Sequence, residues 1–576
     1  MQLRRMSILG AVCGLTLVSV TGGHAVADKG GGNKNLVNVQ LLTFNDFHGH
    51  LQPPSGRDAT LGAQLDPSNT TVGGAEYLAA TLSNLRANAT NSITATAGDL
   101  IGGSPFLAGL FHDEPAVESL NAMGLDVSSV GNHEFDEGIV ELQRMQHGGC
   151  HPVDGCYFPG NPYGGAAFPW LAANVVNTAT GEHPLAPTWV KDVDGTRVGF
   201  IGMTLRGTPD LVAAAGIRGL SFQDEVNAGN AAARDLKRQG VKAIVVLIHE
   251  GGMQAGTYGA CVGISGPIVD IASRLDPEID MIATGHTHQP YVCSIADPAG
   301  QPRMVTSASS FGRVVTESWL TINRKSGQVQ RDKTTSVNHL VARTMAPDAQ
   351  QTAIIAKWRA ISAPIANRVV GSITNDITRS SARNAESALA NLIADAQLAA
   401  TDDSPANAQI ALMNPGGVRA NLTFNSSPGG EAPGEITYGE AFEVQPFGNT
   451  LMTITMTGAQ VKAALEQQAP IAGHPTRNTT TLILGISQGL TFTWSASASF
   501  GNHVGDLKLD GQPIDPAANY QVTINSFLAD GGDGFSTFNN GSPRIGGGDD
   551  LAALTTYLGV HSPVAPPPTD RITEVA

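Results

Sequence analysis

Gly131-Asn132-His133-Glu134-Phe135-Asp136 directly follows the short apolar run Val127–Val130 and sets an amide, an imidazole and carboxylates side by side. Four other apolar runs end in the same manner. Val37–Phe44 leads into Asn45-Asp46-Phe47-His48, and Ile93–Ala97 into Gly98-Asp99. Ile244–Ile248 leads into His249-Glu250-Gly251-Gly252, and Asp280–Thr284 into Gly285-His286-Thr287-His288. Each reads as a buried strand that delivers polar, metal-binding side chains just past its C-terminal end. That edge of a layered α/β protein is where ligands sit. A metal cluster is the simplest common explanation.

The chain has 576 residues, 41% of them hydrophobic, which allows two to four domains with sizeable cores. Asp and Glu number 50 against 34 Lys and Arg, a formal charge of −16. There is therefore no basic footprint for a nucleic-acid backbone, and bound divalent cations would offset part of the charge. The 67 Gly and 33 Pro suit a loop-rich protein.

Arg4, Arg5, the apolar stretch Ile8–Val20 and the small residues Ala25-Val26-Ala27 read as an export signal over residues 1–27, with the mature chain beginning near Asp28. The stretch is shorter than a bilayer span, and no other segment is apolar enough for one. Export without an anchor implies an extracellular, cell-wall-associated or periplasmic protein. Apart from Cys13, inside the signal, 4 of the 5 cysteines remain. In an oxidising compartment we expect Cys150 to pair with Cys156 and Cys261 with Cys293, one of three possible connectivities. Their spacings match no zinc finger.

After a Gly/Lys/Asn-rich leader, Asp28–Asn35, residues 36–340 alternate apolar strands with helical patterns at Gly73–Ala87, Glu114–Met123 and Asp224–Gln239. This predicts β-α-β units around a buried sheet. Thr316–Asp332 reads as a closing hairpin that turns at Lys325-Ser326-Gly327. A helix over Pro347–Ala366 is expected as a linker, residues 341–366, and as a hinge. Residues 367–560 predict a mixed α+β domain, with helices Glu386–Ala400 and Gly458–Gln467 among four strands. The last stretch, 561–576, contains the Pro-rich Pro563–Pro568 and reads as a spacer or frayed tail.

Asp46 and His48 are two residues apart at a strand end, which puts both side chains on one side. Asp99 follows Gly98, which allows close approach. Asn132 adds a neutral oxygen; His249, His286 and His288 add imidazoles. This mixture suits zinc, manganese or iron rather than calcium. Two such ions clamp a phosphate oxygen and turn water into hydroxide near neutral pH, with Asp99 as the bridge. Glu134 and Glu250 read as supporting residues, His50 as structural, and His112, His147 and His151 as surface residues.

Taken in this order, the blocks resemble the calcineurin-like metallophosphoesterase pattern. The whole set is similar to the secreted 5′-nucleotidase family, which includes periplasmic UDP-sugar hydrolases and ecto-5′-nucleotidases. The resemblance implies an α/β fold: a four-layer α/β/β/α catalytic domain, a linker helix and a C-terminal α+β substrate-binding domain. It implies two divalent ions, zinc, manganese or similar. Asp46, His48, Asp99 and His288 would hold one, and Asp99, Asn132, His249 and His286 the other. His133 would be the general acid or a transition-state stabiliser, oriented by Asp136.

In the second domain Arg379 and Arg383 are four apart on a short helix or turn, so their guanidinium groups can face the same way. Asn414-Pro415-Gly416-Gly417-Val418-Arg419 follows a strand, and its glycines let backbone approach a ligand. Arg forks suit phosphate or carboxylate. Gln445–Asn449 and Asn525–Phe535 each place an aromatic beside flexible backbone, and two such faces can sandwich a base. The resemblance implies that Phe447 and Phe527 stack the base and that Asp533 binds ribose hydroxyls. Arg379, Arg383, Arg419 and Asn414 would bind phosphate and the neighbouring sugar, with Gly417 in the same loop. The chain departs from the family at Ser387-Ala388, where Thr-Asn is common, at Pro415, where Gly is common, and at Asp530, where Asn is common. These departures bear on the ribose site and on substrate breadth.

The expected activity is release of phosphate from nucleoside 5′-phosphates, a small-molecule substrate rather than a nucleic-acid polymer. Alternatives on the same site are a 2′,3′-cyclic-nucleotide phosphodiesterase and a UDP-sugar hydrolase, with a sulfur-ester hydrolase a weaker fit. A secreted nucleotide-binding or adhesion module is the alternative from another class.

Overall fold

β1 (Leu36–Phe44) carries Val37, Val39, Leu41, Leu42 and Phe44 almost without exposure. Both its faces are covered, as in a parallel sheet flanked by other layers. The computed structural model describes residues 35–575 apart from 214, 404, 473, 475 and 476. The export signal 1–27, Cys13 and the leader up to residue 34 lie outside the described residues.

Next in the first domain come α1 (Ala75–Arg86), β2 (Ser92–Ala97), α2 (Phe106–Gly109), α3 (Glu114–Ala122), β3 (Val127–Ser129), α4 (Gly138–His147) and β4 (Trp170–Leu171). Then follow β5 (Thr188–Val193), β6 (Thr196–Thr204), α5 (Glu225–Arg238), β7 (Ala243–His249), α6 (Pro267–Arg274) and β8 (Met281–Thr284). The domain closes with β9 (Tyr291–Ala296), β10 (Pro302–Ser307), β11 (Val314–Asn323) and β12 (Thr335–Leu340).

One six-stranded sheet runs β12-β11-β1-β2-β3-β4 and a second runs β9-β10-β8-β7-β6-β5. Strands β1 to β4 are parallel, as are β6, β7, β8 and β10. The two sheets meet face to face through Val39, Leu41, Ile93 and Ala95 on one side and Phe200, Val245, Leu247 and Met281 on the other. Helices α1, α3 and α4 cover the outer face of the first sheet, and α5 and α6 that of the second. The result is the four-layer α/β/β/α arrangement, with the motif-bearing loops at the C-terminal ends of the parallel strands.

The closing hairpin turns where expected, with Gly327 N donating to Asn323 O at 2.7 Å. Its return arm is short: Ile322 bridges Val329, with Asn323 N donating to Gln328 O and Gln330 N to Thr321 O, and beyond it β11 pairs with β12, further along the chain. Cys150 is joined to Cys156 and Cys261 to Cys293. No helix among the described residues is long and apolar enough to cross a membrane.

α7 (Ala349–Ala366) starts at Asp348, whose carboxylate accepts a hydrogen bond from Gln351 N. It is not a bare connector. Ile354, Ile355 and Trp358 belong to the first domain's core, and Trp358 Nε1 donates to Glu118 Oε2 at 2.7 Å.

The second domain contains α8 (Ala388–Ala399), β13 (Ile410–Met413), α9 (Tyr438–Val444), β14 (Thr450–Thr457), α10 (Gly458–Glu466), β15 (Gly485–Ile486) and β16 (Leu490–Trp494). After these come β17 (Val504–Leu509), β18 (Gln512–Pro513), β19 (Asn519–Asn525), β20 (Arg544–Asp549), α11 (Asp550–His561) and β21 (Ile572–Glu574). Its sheets run β15-β13-β19-β14-β20 and β18-β17-β16-β21. Thr437 with Glu440 and Thr457 with Gln460 form capping boxes that start α9 and α10.

The expectation of a frayed tail fails. β21 pairs in parallel with β16, and the Arg571 guanidinium grips both Asp395 oxygens at 2.8 Å. The prolines fit because this stretch needs few ladder donors: Val564 bridges Ile373, and Pro568 O accepts from Asn391 Nδ2.

Candidate active site

The loops leaving β1, β2 and β8 turn abruptly. Asp46, His48, Asp99, His286 and His288 all have positive φ, between 46° and 72°. Five non-glycine residues in the left-handed region mark a locally strained cluster, of the kind found at functional sites. Glycine makes the close approach possible. A Cβ on Gly98 would fall 2.5 Å from Gly131 N, and one on Gly131 would fall 2.2 Å from Asp99 Oδ1.

These turns bring the side chains together. His249 Nε2 lies 2.9 Å from Asp99 Oδ2, and His48 Nε2 lies 3.6 Å from the same oxygen. His288 Nε2 is 3.2 Å from Asp46 Oδ1, which is 3.9 Å from both His48 Nε2 and His249 Nε2. His286 Nδ1 is 3.1 Å from Asn132 Oδ1. Asp46, His48 and His288 form one group whose ligand atoms lie within 4.8 Å of one another, and Asp99, His249 and His286 form a second. All seven residues read from the sequence as metal donors thus converge.

The imidazoles are set from behind. His48 Nδ1 lies 2.8 Å from Gly102 O, and His249 Nδ1 lies 2.7 Å from Ala97 O. A carbonyl partner fixes Nδ1–H, which leaves Nε2 as the bare donor facing the cluster. Both Nε2 atoms are buried and face carboxylate oxygens without a well-directed hydrogen bond, His249 Nε2 across 2.9 Å and His48 Nε2 across 3.6 Å from Asp99 Oδ2. Buried polar atoms of that kind are costly unless something completes them.

Glu134 holds the frame. Its carboxylate accepts hydrogen bonds from Asp99 N, Leu100 N and Gly131 N, tying the loop after β2 to the loop after β3. Burial and the neighbouring Asp99 push its pKa up to about 7. His133 stands beside the cluster, with Nδ1 2.8 Å from Asp136 Oδ2 and its backbone N–H on Asp99 Oδ1 at 2.9 Å. Burial opposes its charge, but Asp136 and Asp99 outweigh burial and raise its pKa. His50 stacks on Phe311 at 4.0 Å, outside the donor groups.

A cavity of about 430 Å³ joins this cluster to the second domain. Asp99, Asn132, His133, Asp136, His286 and His288 line one side, and Arg383, Asn414, Gly416, Gly417, Arg419, Phe447, Asn525, Phe527 and Asp533 line the other. The Phe447 ring lies parallel to the His133 ring with centroids 5.9 Å apart, and the Arg419 guanidinium sits 5.6 Å from the Phe447 centroid. Burial, then Arg383 and Arg379, push the Arg419 pKa down to about 10. Asn414 links Asp533 and Asn525: its Nδ2 donates to Asp533 Oδ2 at 3.1 Å, and its Oδ1 accepts from Asn525 Nδ2 at 2.9 Å.

Of the short helix or turn expected at Arg379–Arg383, the chain takes the turn, with Arg383 at φ 59°. Arg383 lines the cavity, whereas Arg379 does not, and its Nη1 lies 3.3 Å from Val418 O. Sequence reasoning also missed the rim segment Leu211-Val212-Ala213, which lines the cavity from the first domain. Nothing in its composition distinguishes it from other apolar loop residues.

The fold and this site define a two-domain metallophosphoesterase. Residues 39–290 match the family model for calcineurin-like phosphoesterases, and residues 369–540 match the 5′-nucleotidase C-terminal domain. The chain belongs to the 5′-nucleotidase family of metallophosphoesterases. It is 34% identical to endonuclease YhcR of Bacillus subtilis over 86% of its own length, and spans 37% of that longer protein. It is 33% identical to the cell wall protein Lmo0130 of Listeria monocytogenes, covering 96% of this chain and 70% of that one. The solved 5′-nucleotidase precursor from Thermus thermophilus matches with a TM-score of 0.74 and 26% identity, over 94% of this chain and 99% of that one.

Proposed function

We propose that the protein is an exported dinuclear-metal phosphohydrolase that releases phosphate from nucleoside 5′-phosphates. The observation that carries this reading is the cavity lined by the donor cluster on one side and by Arg383, Arg419, Phe447 and Phe527 on the other. The bare, buried Nε2 atoms of His48 and His249 fit a pair of divalent cations. Asp46, His48, Asp99 and His288 would hold one, and Asp99, Asn132, His249 and His286 the other. Their mixed nitrogen and oxygen donors favour zinc or manganese. Ions bound there supply Lewis acidity toward a phosphoryl oxygen and toward water.

The chain's own groups do the rest. Asp136 pairs with His133 Nδ1 and favours its charged form, which would leave Nε2–H for the phosphoryl group or the leaving oxygen. Arg383 and Arg419 pair with phosphate and neighbouring sugar. Phe447 and Phe527 hold the base, and Asp533, steadied by Asn414, accepts from ribose hydroxyls. Contact between Phe106 and Phe442, with ring centroids 5.3 Å apart, helps hold the domains over the cavity. The cell-wall name of the Listeria relative supports export.

The test is a panel of AMP, ATP, 2′,3′-cyclic AMP, UDP-glucose and single-stranded DNA, with zinc or manganese restored to stripped protein. Phosphate release from AMP that depends on added metal is expected. An inert protein at full metal content would point to a binding module, and preferred cleavage of another substrate would reassign the reaction.

A further inference from the structure

The turn that leaves β10, Ala308-Ser309-Ser310-Phe311-Gly312-Arg313, supplies no donor to the cluster, yet it is built into it. Phe311 N–H donates to Asp46 O at 2.7 Å. Asn45, the neighbour of Asp46, accepts from Ala308 N at 2.8 Å through Oδ1 and donates from Nδ2 to Ser309 O at 2.6 Å. Buried Arg313 donates from Nε to Ser310 O at 3.0 Å and from Nη2 to Ser310 Oγ at 2.6 Å. Between these anchors Ser309 has φ 63° and Phe311 φ 59°. A bulky aromatic residue in the left-handed region is a backbone outlier, and such strain persists only where the surroundings over-determine it.

The strained turn sets one ring against the donor imidazoles. The Phe311 centroid lies 5.3 Å from that of His288 with the planes at 81°, and 5.9 Å from that of His48 with the planes at 65°. Arg313 Cζ lies 5.0 Å from the same ring centroid. Near-perpendicular aromatic pairs have a preferred geometry, so such a contact orients as well as buries. It matters most for His288. His48 and His249 each have a carbonyl behind Nδ1, and His286 Nδ1 meets Asn132. Among the described residues no such partner stands behind His288. Its side chain is also 34% exposed, where those of His48 and His249 are 1% and 0% exposed, so packing restrains it least.

We propose that Phe311 is a positioning residue whose ring does for His288 what a backbone carbonyl does for His48 and His249. It thereby sets the affinity of the group Asp46, His48 and His288 for its cation, and leaves the group Asp99, Asn132, His249 and His286 alone. The proposal rests on reading these groups as cation sites. A side chain must give up rotamer freedom before it ligates, and a ring already fixed against it removes part of that cost. Leucine at 311 would keep the turn and an apolar contact but take away the flat face; tyrosine would keep the face.

The experiment compares the full mature wild-type chain with Phe311→Leu and Phe311→Tyr, with urea denaturation as the check on folding. Crystals of stripped protein are equilibrated with limiting Mn²⁺, and anomalous scattering at the manganese edge reads the occupancy of each group separately. In Phe311→Leu, occupancy should fall at Asp46, His48 and His288 only, and calorimetry should show that ion bound roughly 10–100-fold more weakly. Phe311→Tyr should stay near wild type. Equal loss at both groups, or loss at neither, overturns the proposal. Metal-free crystals give a readout that needs no ion: His288 should hold one rotamer in wild type and Phe311→Tyr and spread over more than one in Phe311→Leu. An unchanged His288 in Phe311→Leu also overturns it. Wild-type protein that takes up fewer than two ions would overturn the dinuclear reading instead, and the His288 rotamer would still decide this one.

Discussion

The His133 ring is held between two domains: Asp136 Oδ2 lies 2.8 Å from its Nδ1, and the Phe447 ring of the second domain lies parallel to it at 5.9 Å. The first contact favours the charged form of the ring, and the second sets an aromatic face of the second domain beside it.

That contact sets a pH dependence. Asp136 and Asp99 raise the His133 pKa against the effect of burial. A raised pKa keeps the imidazolium populated to higher pH, and turnover that needs it falls as pH rises through that value. Asp136→Asn should move this alkaline limb to lower pH and lower kcat by roughly 10²-fold. His133→Ala should lose about 10²–10⁴-fold with its metal content unchanged. A limb that stays in place in Asp136→Asn would show that the carboxylate does not tune the imidazole.

The proposed base clamp makes a prediction that can be told apart from the chemistry. Phe447→Ala or Phe527→Ala should each weaken kcat/KM for AMP by about 1–3 kcal/mol, mostly through KM. A phosphate ester without a nucleobase, such as p-nitrophenyl phosphate, should lose far less in Phe527→Ala. Equal losses on both substrates would mean that this ring packs the fold rather than the base.

Glu134 is a test of the frame. Glu134→Ala strips three buried N–H groups of their acceptor, which should cost roughly 2–5 kcal/mol in chemical denaturation. Metal affinity should fall with it, because Asp99 N is one of those donors. Unchanged stability would show that water replaces the carboxylate.

The tail makes a prediction of its own. Arg571→Ala leaves Asp395, itself only 9% exposed, without its charged partner and with only Gln488 N–H still donating to it, and should destabilise the second domain by about 3–5 kcal/mol. Replacing both residues with apolar side chains of similar size should cost much less. A tail that only frays would show neither effect, and urea titration of the three proteins distinguishes the cases.

Much of the donor cluster is legible in the sequence because each donor follows an apolar run, and His48, Asp99, Asn132 and His286 stand beside glycine. Gly98-Asp99 and Gly131-Asn132 record the close approach of two loops in the residues themselves. The second domain is harder to read. The spacing of Arg379 and Arg383 leaves helix or turn open; the chain takes the turn, and of the two only Arg383 lines the cavity. The Pro-rich end reads as a spacer because composition does not show that Arg571 has a buried partner 176 residues away. His112 and His151 read as surface residues because the ring stack that shields them is formed by segments 39 positions apart.

The sequence by itself determined the strands, the chemistry at their ends and the family, since these follow from local apolar runs and from residue types at fixed spacing. The tertiary structure decided which donors share a group and which arginine faces the cavity. It also set the tail against α8 and β16 and gathered a second histidine cluster beside the disulfide loop. Those outcomes depend on packing between distant segments, where a side chain's neighbours are set by the path of the backbone rather than by its place in the chain.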